Sequence, residues 1–460
     1  MFVRILIANR GEIACRVIKT CKRLGIETVA VFSEADRNAL HVQLADEAHC
    51  IGPAPARESY LVVDRILEVA KSSRSEAIHP GYGFLSENPV LSQACLDAGI
   101  VFLGPPPEVI RVMGAKDAAK RMAESIDVPV IPGYHGDDQD DATLQNHAQR
   151  IGWPCLIKAA AGGGGRGMRR VNDAAEFAQS LAAVRREAKS FFGDDKVIVE
   201  RFITQPRHIE VQVMGDNFGR YIHLGERDCS IQRRHQKVIE EAPGCGLSDA
   251  LRSRMRAAAL KLASAIEYKG VGTIEFLVDA GRDDEAFYFI EMNTRIQVEH
   301  PITEKVFGID LVEYQFLIAA GEALPPQDRF NASGYAIEAR ICAEDPSRGY
   351  RPTPGLLREF SVPQLSEHLR VDTGFRSGDE ISPWYDSLVA KVIVYGESRE
   401  DAVRKMSDTL ARCRINGISS NIPLLISIME NAVYQRTAVD TNFLQTYGDE
   451  LLTPRQAALG

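Results

Sequence analysis

The stretch from 272 to 299, GTIEFLVDAGRDDEAFYFIEMNTRIQVE, constrains this chain more than any other. Two apolar runs flank the polar segment DAGRDDE, a pattern that predicts a β-hairpin. Residue 283 is the midpoint between Glu275 and Glu291, so antiparallel pairing sets these two carboxylates opposite one another. Opposed carboxylates repel unless a cation lies between them. Asn293 shares a face with Glu291, because side chains alternate along a strand. Together the three make an oxygen-only set of the kind that suits a hard divalent cation such as magnesium. The same alternation, continued as extended chain, places Arg295, Gln297 and Glu299 along one groove beyond that set. A guanidinium there can hold a planar oxyanion, and a carboxylate beside it can accept a proton.

The 460 residues are enough for two or three domains with cores of ordinary size. No apolar run approaches the roughly 20 residues of a membrane span, so a membrane protein is not expected. A net charge of −9 argues against broad affinity for nucleic acid and leaves room for a local basic pocket. Nine scattered cysteines without a C-x-x-C pair predict reduced thiols, neither a disulfide frame nor a zinc site. The opening FVRILIANRGE enters a strand at once and shows no targeting pattern, so a cytoplasmic location is expected.

The fold class expected is α/β with α+β. Strands alternating with helical periodicity over 1–115 predict a parallel sheet covered on both faces. A linker and a strand-rich unit around a glycine run follow over 116–204. Alternating strands such as HIEVQVMGD and GRYIHLGERD predict a large antiparallel sheet over 205–330. Residues 331–447 mix strands and helices, and 448–460 form a tail.

KAAAGGGGRGM, residues 158 to 168, is neither a Walker loop nor a dinucleotide fingerprint, since no helix opens after it. It reads as a glycine-tipped hairpin whose backbone N–H groups can fold over phosphates, with Lys158 at the strand end beside it. GERDCSIQRRHQKVIEEAP, residues 225 to 243, concentrates Arg227, Arg233, Arg234, His235 and Lys237 in an acidic chain. Without interleaved aromatics it fits a small-anion pocket better than nucleic acid. His235 and Lys237 are expected on one side of an extended segment. These elements together describe phosphoryl transfer to a small oxyanion, driven by positioning and electrostatics.

Eight blocks in order carry a family resemblance: ANRGEIACRVI, ADEAHCIG, IHPGYGFLSEN, MGAKDAAK, KAAAGGGGRGM, ERDCSIQRRHQKVIEEAP, IEMNTRIQVEHPITE and WYDSLVAKVIVYG. From about residue 2 to about 447 the chain resembles biotin carboxylase, in the ATP-grasp superfamily. The resemblance implies an N-terminal Rossmann-like domain, an ATP-grasp lid and catalytic sheet, and a C-terminal biotin carboxylase domain. It implies ATP-dependent carboxylation of biotin on a carrier protein with bicarbonate, through carboxyphosphate, as in the first half reaction of an acetyl-CoA or acyl-CoA carboxylase. By the same resemblance ATP is contacted by Lys116, Lys158, the lid glycines Gly164 and Gly165, the hinge Glu200, Arg201, Phe202 and Ile203, and His208 and His235. Glu275 and Glu291 reach the nucleotide through the metal, Mg2+ or Mn2+, with Asn293 as third ligand. Bicarbonate falls to Lys237, Arg295, Gln297 and the Val298 backbone N–H. Glu299 matches the base that deprotonates bicarbonate, and Arg340 the arginine that stabilises the biotin enolate oxygen.

The hinge departs from some relatives in having Arg201 and Phe202 in place of Lys and Tyr, and Cys245 replaces a frequent Pro or Ala. Without a Met-Lys-Met biotinylation site in the sequence, the expected partners are a biotin carboxyl carrier protein and carboxyltransferase subunits, either as separate chains or as parts of a longer chain from which this one was cut, with the chain itself a homodimer. The rivals are another ATP-grasp ligase, making carbamoyl phosphate or an aminoacyl product, and a non-catalytic nucleotide-binding regulator.

Overall fold

Ile5, Leu6 and Ile7 in the first strand, Arg4–Ile7, are fully buried, as a strand covered on both faces requires. The computed structural model describes residues 1–161, 167–282, 284–436 and 439–453. Five parallel strands lie in the order Glu47–Cys50, Glu27–Phe32, Arg4–Ile7, Ala77–His79, Val101–Phe102. The helix Gly11–Leu24 follows the first strand and buries Ile13, Val17, Ile18 and Cys21 against it, the helical spacing seen in the sequence. Gly25, at φ 71°, stops that helix with its N–H on the Cys21 and Lys22 carbonyls.

A second, antiparallel sheet orders Gly133–Tyr134, Val197–Arg201, Cys155–Ala159 and Met168–Val171. The expected glycine hairpin is therefore present in its flanking strands, while Gly164 and Gly165 lie outside the described residues.

The third sheet has eight antiparallel strands: Phe287–Asn293, Gly270–Asp279, Pro206–Gly215, Tyr221–Arg233, Gln236–Ala242, Tyr335–Cys342, Leu388–Gly396 and Leu369–Thr373. Over its first strands, one face packs Val211, Ile274, Phe276, Phe287 and Phe289 against Leu251, Met255 and Leu262 of the helix Asp249–Ala265. Phe276 and Phe287 meet edge to face at 5.5 Å. The polar residues alternate onto the other face. Glu275 pairs with Glu291 and Thr273 with Asn293, as the hairpin midpoint predicts. Sequence periodicity does not show the bulge beside Glu275: Phe276 faces Phe289, so Ile290 is an extra residue that re-aims Glu291 and Asn293 away from the core.

The loop GYGF, residues 81 to 84, is held down by Asn9, whose Nδ2 donates to the Pro80 and Tyr82 carbonyls at 2.7 and 2.8 Å. Gly81 takes φ 64°, and a Cβ there would stand 2.8 Å from Asn9 Nδ2, so only glycine fits. Its N–H donates to Nδ1 of fully buried His79 at 2.9 Å, and Nε2 of the same ring lies 3.0 Å from Gln315 Oε1. That acceptor role fixes a neutral ring, and burial pushes its pKa down to about 4.

An unfolded histidine takes up a proton near pH 6.5, whereas His79 in the folded chain does not until about 4. Its contribution is therefore complete above about pH 6.5 and is lost as pH falls toward 4, amounting to about 3 kcal/mol. Urea midpoints measured across that range are expected to fall with acidification in the native chain and to fall less steeply in His79→Gln.

Candidate functional site

A cavity of about 720 Å³ opens along the polar face of the eight-stranded sheet, against the GYGF loop and the start of helix Gly11–Leu24. Its wall includes His208, His235, Lys237, Glu275, Glu291, Asn293, Arg295, Gln297, Val298, Glu299 and Arg340. Residues far apart in sequence thus share one chamber, because neighbouring strands present alternate side chains to the same side.

Lys237, on Gln236–Ala242, places Nζ 2.5 Å from Glu210, 2.9 Å from Glu275 and 2.6 Å from Glu299. Burial opposes its charge, but the three carboxylates hold its pKa well above the usual lysine value. Burial likewise opposes ionisation of Glu275, and Lys237 and His208 outweigh it, leaving that carboxyl below its usual range. His208 Nε2 lies 3.0 Å from Glu275; burial disfavours its cation, yet Glu275 raises its pKa. His235 is lowered by burial and by Lys158. It adopts φ 68° in the tight turn between two strands, so His235 and Lys237 do not lie on one extended segment as expected; the turn intervenes.

The extended reading fails again past Asn293. That strand ends there, and Arg295 to Val298 form an irregular segment that delivers Glu299 to the N-terminus of helix His300–Phe307. Pro301 in its first turn suits a helix start, which breaks the period of two. Nevertheless the segment brings its side chains together. Arg295 donates to Glu87 at 2.9 Å and Asn293 at 2.7 Å, and Gln297 donates to Glu275 at 2.8 Å. Arg340 on Tyr335–Cys342 donates to Glu240 at 2.6 Å and to Glu299 at 2.8 Å. Glu299, buried among Lys237, Arg340 and Arg227, is held well below the usual carboxylate range by them.

The nucleotide residues expected from the sequence divide into two groups. Besides the cavity wall there is a flank: Lys116 begins the helix Lys116–Ser125 with Nζ 3.4 Å from Glu291, and Lys158 lies 2.6 Å from buried Glu200. Arg201 reaches the Tyr288 hydroxyl at 2.7 Å, Phe202 lies under the Arg170 guanidinium, and Ile203 is buried. Of the two lid glycines nothing can be added, since both fall outside the described residues.

Donor chemistry agrees with the metal expectation. Glu275 and Glu291 are directly opposed on the hairpin with Asn293 two residues beyond Glu291, all oxygen donors, which suits Mg2+ or Mn2+. A tighter cluster, His208 with Glu210 and Glu275, has ligand atoms within 4.8 Å of one another, but the Lys237 ammonium already bonds both of its carboxylates.

Sequence reasoning missed the organising residue. Arg227, counted as one of a basic loop, is fully buried inside the strand Tyr221–Arg233. It donates to Glu210 at 2.5 Å, Gln212 at 2.7 Å, Thr303 at 2.9 Å, Thr273 at 3.0 Å and Gln297 at 2.5 Å. Period two in GERDCSI would have placed it inward with Cys229; nothing local names its partners. Glu87, Glu210 and Glu240 were also missed.

Three family models match in succession: "Biotin carboxylase, N-terminal domain" over 1–110, "Carbamoyl-phosphate synthase L chain, ATP binding domain" over 115–327, and "Biotin carboxylase C-terminal domain" over 338–446. The biotin carboxylase of Halalkalibacterium halodurans is 48% identical, over 97% of this chain and 98% of that protein. The mitochondrial methylcrotonoyl-CoA carboxylase subunit alpha of Mus musculus is also 48% identical, over 99% of this chain, which spans 65% of that longer protein. Among solved structures, the biotin carboxylase domain dimer of the Hydrogenobacter thermophilus 2-oxoglutarate carboxylase, in complex with MgADP, ADP and bicarbonate, superposes with a TM-score of 0.94. It is 44% identical and covers 99% of this chain and 100% of its own.

Removing Arg227 takes one of two cations from buried Glu210 and leaves Gln297 Oε1 buried without its donor. Arg227→Met is expected to lower folding stability by about 3–5 kcal/mol, read from denaturant midpoints, with Arg227→Lys only partly restoring it because an ammonium cannot meet the same fork of partners. With three family models matching in succession and 48% identity to a biotin carboxylase over 97% of its own length, the chain belongs to the biotin carboxylase family.

Proposed function

We propose that the chain carboxylates biotin borne on a biotin carboxyl carrier, using ATP and bicarbonate, with the residue roles expected from the sequence. The observation that supports this most is the convergence of Lys237, Arg295, Gln297, Glu299 and Arg340 beside the opposed pair Glu275 and Glu291. The nucleotide lies along the flank of Lys116, Lys158, the hinge Glu200 to Ile203, His208 and His235, with Gly164 and Gly165 as further contacts implied by the family resemblance. Glu275, Glu291 and Asn293 hold Mg2+ or Mn2+, which when bound neutralises charge on the nucleotide phosphates.

Bicarbonate is held by Lys237, Arg295, Gln297 and the Val298 N–H. Its arrival gives Lys237 a fourth anion to serve, after Glu210, Glu275 and Glu299. Less of that positive charge then bears on Glu299, whose proton affinity rises as the pairing loosens. Glu299 takes the bicarbonate proton, and the oxygen attacks the γ-phosphorus as the bond to ADP breaks. The resulting carboxyphosphate releases carbon dioxide and leaves phosphate. The phosphate so released takes the ureido proton of biotin, Arg340 steadies the oxygen on which charge develops, and the nitrogen adds to the carbon of carbon dioxide.

A carrier protein, carboxyltransferase subunits and a second copy of the chain complete the assembly proposed; the dimer of the H. thermophilus domain supports the last. Nine cysteines, none in a disulfide among the described residues, suit a reducing setting such as the cytoplasm. Bicarbonate-dependent ADP release, followed with a coupled assay, is expected to drop about 100-fold in Glu291→Ala and in Arg295→Ala. Full-speed release in either variant would reject the assignment.

A further inference from the structure

Behind Arg340 lies a pair of acids that the reaction above does not use. Glu240 on Gln236–Ala242 and Glu338 on Tyr335–Cys342 are directly opposed in the antiparallel register, and both are 0% exposed. Opposed cross-strand residues on one face are side-chain neighbours, with Cβ atoms roughly 5 Å apart. One oxygen of Glu240 accepts the Arg340 guanidinium; its Oε2 has no hydrogen-bond partner among the described residues, and neither has Oε1 or Oε2 of Glu338. The nearby cation Lys391, opposite Arg340 in register, is engaged elsewhere: Nζ donates to the Val298 carbonyl at 2.8 Å and lies 3.1 Å from Glu12 and 3.8 Å from Asp372. His300, at the start of the covering helix, is held neutral by burial and adds no charge. On the far side Glu299 contributes a further negative charge, shared between Lys237 and Arg340.

A buried carboxylate with no donor is costly, and two facing one another are more so. A single proton removes the conflict: carried by one acid, it lets that acid donate to the free oxygen of the other. Glu240 holds the guanidinium, so the proton belongs on Glu338. Burial drives Glu338 well above the usual carboxylate range, with Glu240 and Glu299 adding to it against Lys391 and Arg340.

We infer that Glu338 stays protonated and donates to Glu240, and that this acid–carboxylate pair is a positioning device that fixes the Arg340 guanidinium for the biotin step. The inference deepens the function proposed above and rests on it only for the role of Arg340. Glu240 and Glu338 touch no substrate; they act through Arg340.

Infrared spectroscopy of the whole chain tests the proton directly. At neutral pH a protonated-carboxyl carbonyl band, shifting on deuteration, is expected in the native protein and lost in Glu338→Gln. A native spectrum without such a band overturns the inference whatever the variants do. For positioning, free-biotin carboxylation is compared with biotin-independent ADP release in the same preparation. Glu240→Gln is expected to lower that ratio by about 100-fold, the size of effect of a misplaced catalytic group. Glu338→Leu should lower it too, and Glu338→Gln, neutral but still a donor, should restore it. Equal loss of both activities in Glu240→Gln, or a ratio in Glu338→Gln as low as in Glu338→Leu, rejects the positioning role. Arg340→Ala separates the two levels: if it carboxylates biotin normally the reading of Arg340 falls, while the infrared band still decides the state of Glu338.

Discussion

A single guanidinium holds the polar face of the large sheet together. Arg227 carries five N–H donors, and all five are met, by side chains on two strands, on the segment before helix His300–Phe307 and on that helix. Burying such a group without partners would be prohibitive, so its partners are fixed in place as firmly as it is. Glu210 is held on one side and then receives Lys237; Gln297 is held on the other and donates to Glu275. The residues proposed to hold bicarbonate and the metal are thus oriented from behind, by a residue that lines no part of the chamber.

Around this centre each functional charge is already paired with another functional charge. Lys237 bridges Glu210, Glu275 and Glu299; Arg340 bridges Glu240 and Glu299; Arg295 rests on Glu87 and Asn293. Such pairing keeps buried ions tolerable before substrates arrive. It also means that anionic substrates compete with carboxylates for the same cations. Binding redistributes charge inside a preformed frame, with little reorganisation left for the chemical step.

Much of this was legible in the sequence wherever one strand or one turn decides the outcome. The register of Glu275 against Glu291 follows from a midpoint, and the parallel first sheet follows from strand and helix periods. Reading failed where a local irregularity interrupts a period. Ile290 is one residue too many in an otherwise regular strand, and the alternation of Arg295, Gln297 and Glu299 survives as a pattern although the backbone there is no longer extended. The turn at Arg234 and His235, both at positive φ, takes His235 off the extended strand that carries Lys237. Partnerships such as Glu240 with Glu338, or Lys391 with Glu12, depend on which strands become neighbours, and no local spacing encodes that.

Sheet order also explains why bulges matter to the chemistry. Glu275 and Lys237 lie on strands separated by two others, three spacings or roughly 14 Å along a flat sheet. Their side chains nevertheless meet at 2.9 Å. Alternate side chains rising from a flat surface do not close such a gap, so the polar face must curve inward. Register shifts occur in the pairings that supply this curvature: at Val211 to Val213, twice between Asp228 and Gln232, and at Glu275 to Phe276. A bulge bends its strand and sharpens local twist, and the extra residues of these four lie in the strands that carry Arg227, Lys237 and Glu291. The irregularities that hide the site from periodicity are therefore the same ones that draw its charges together.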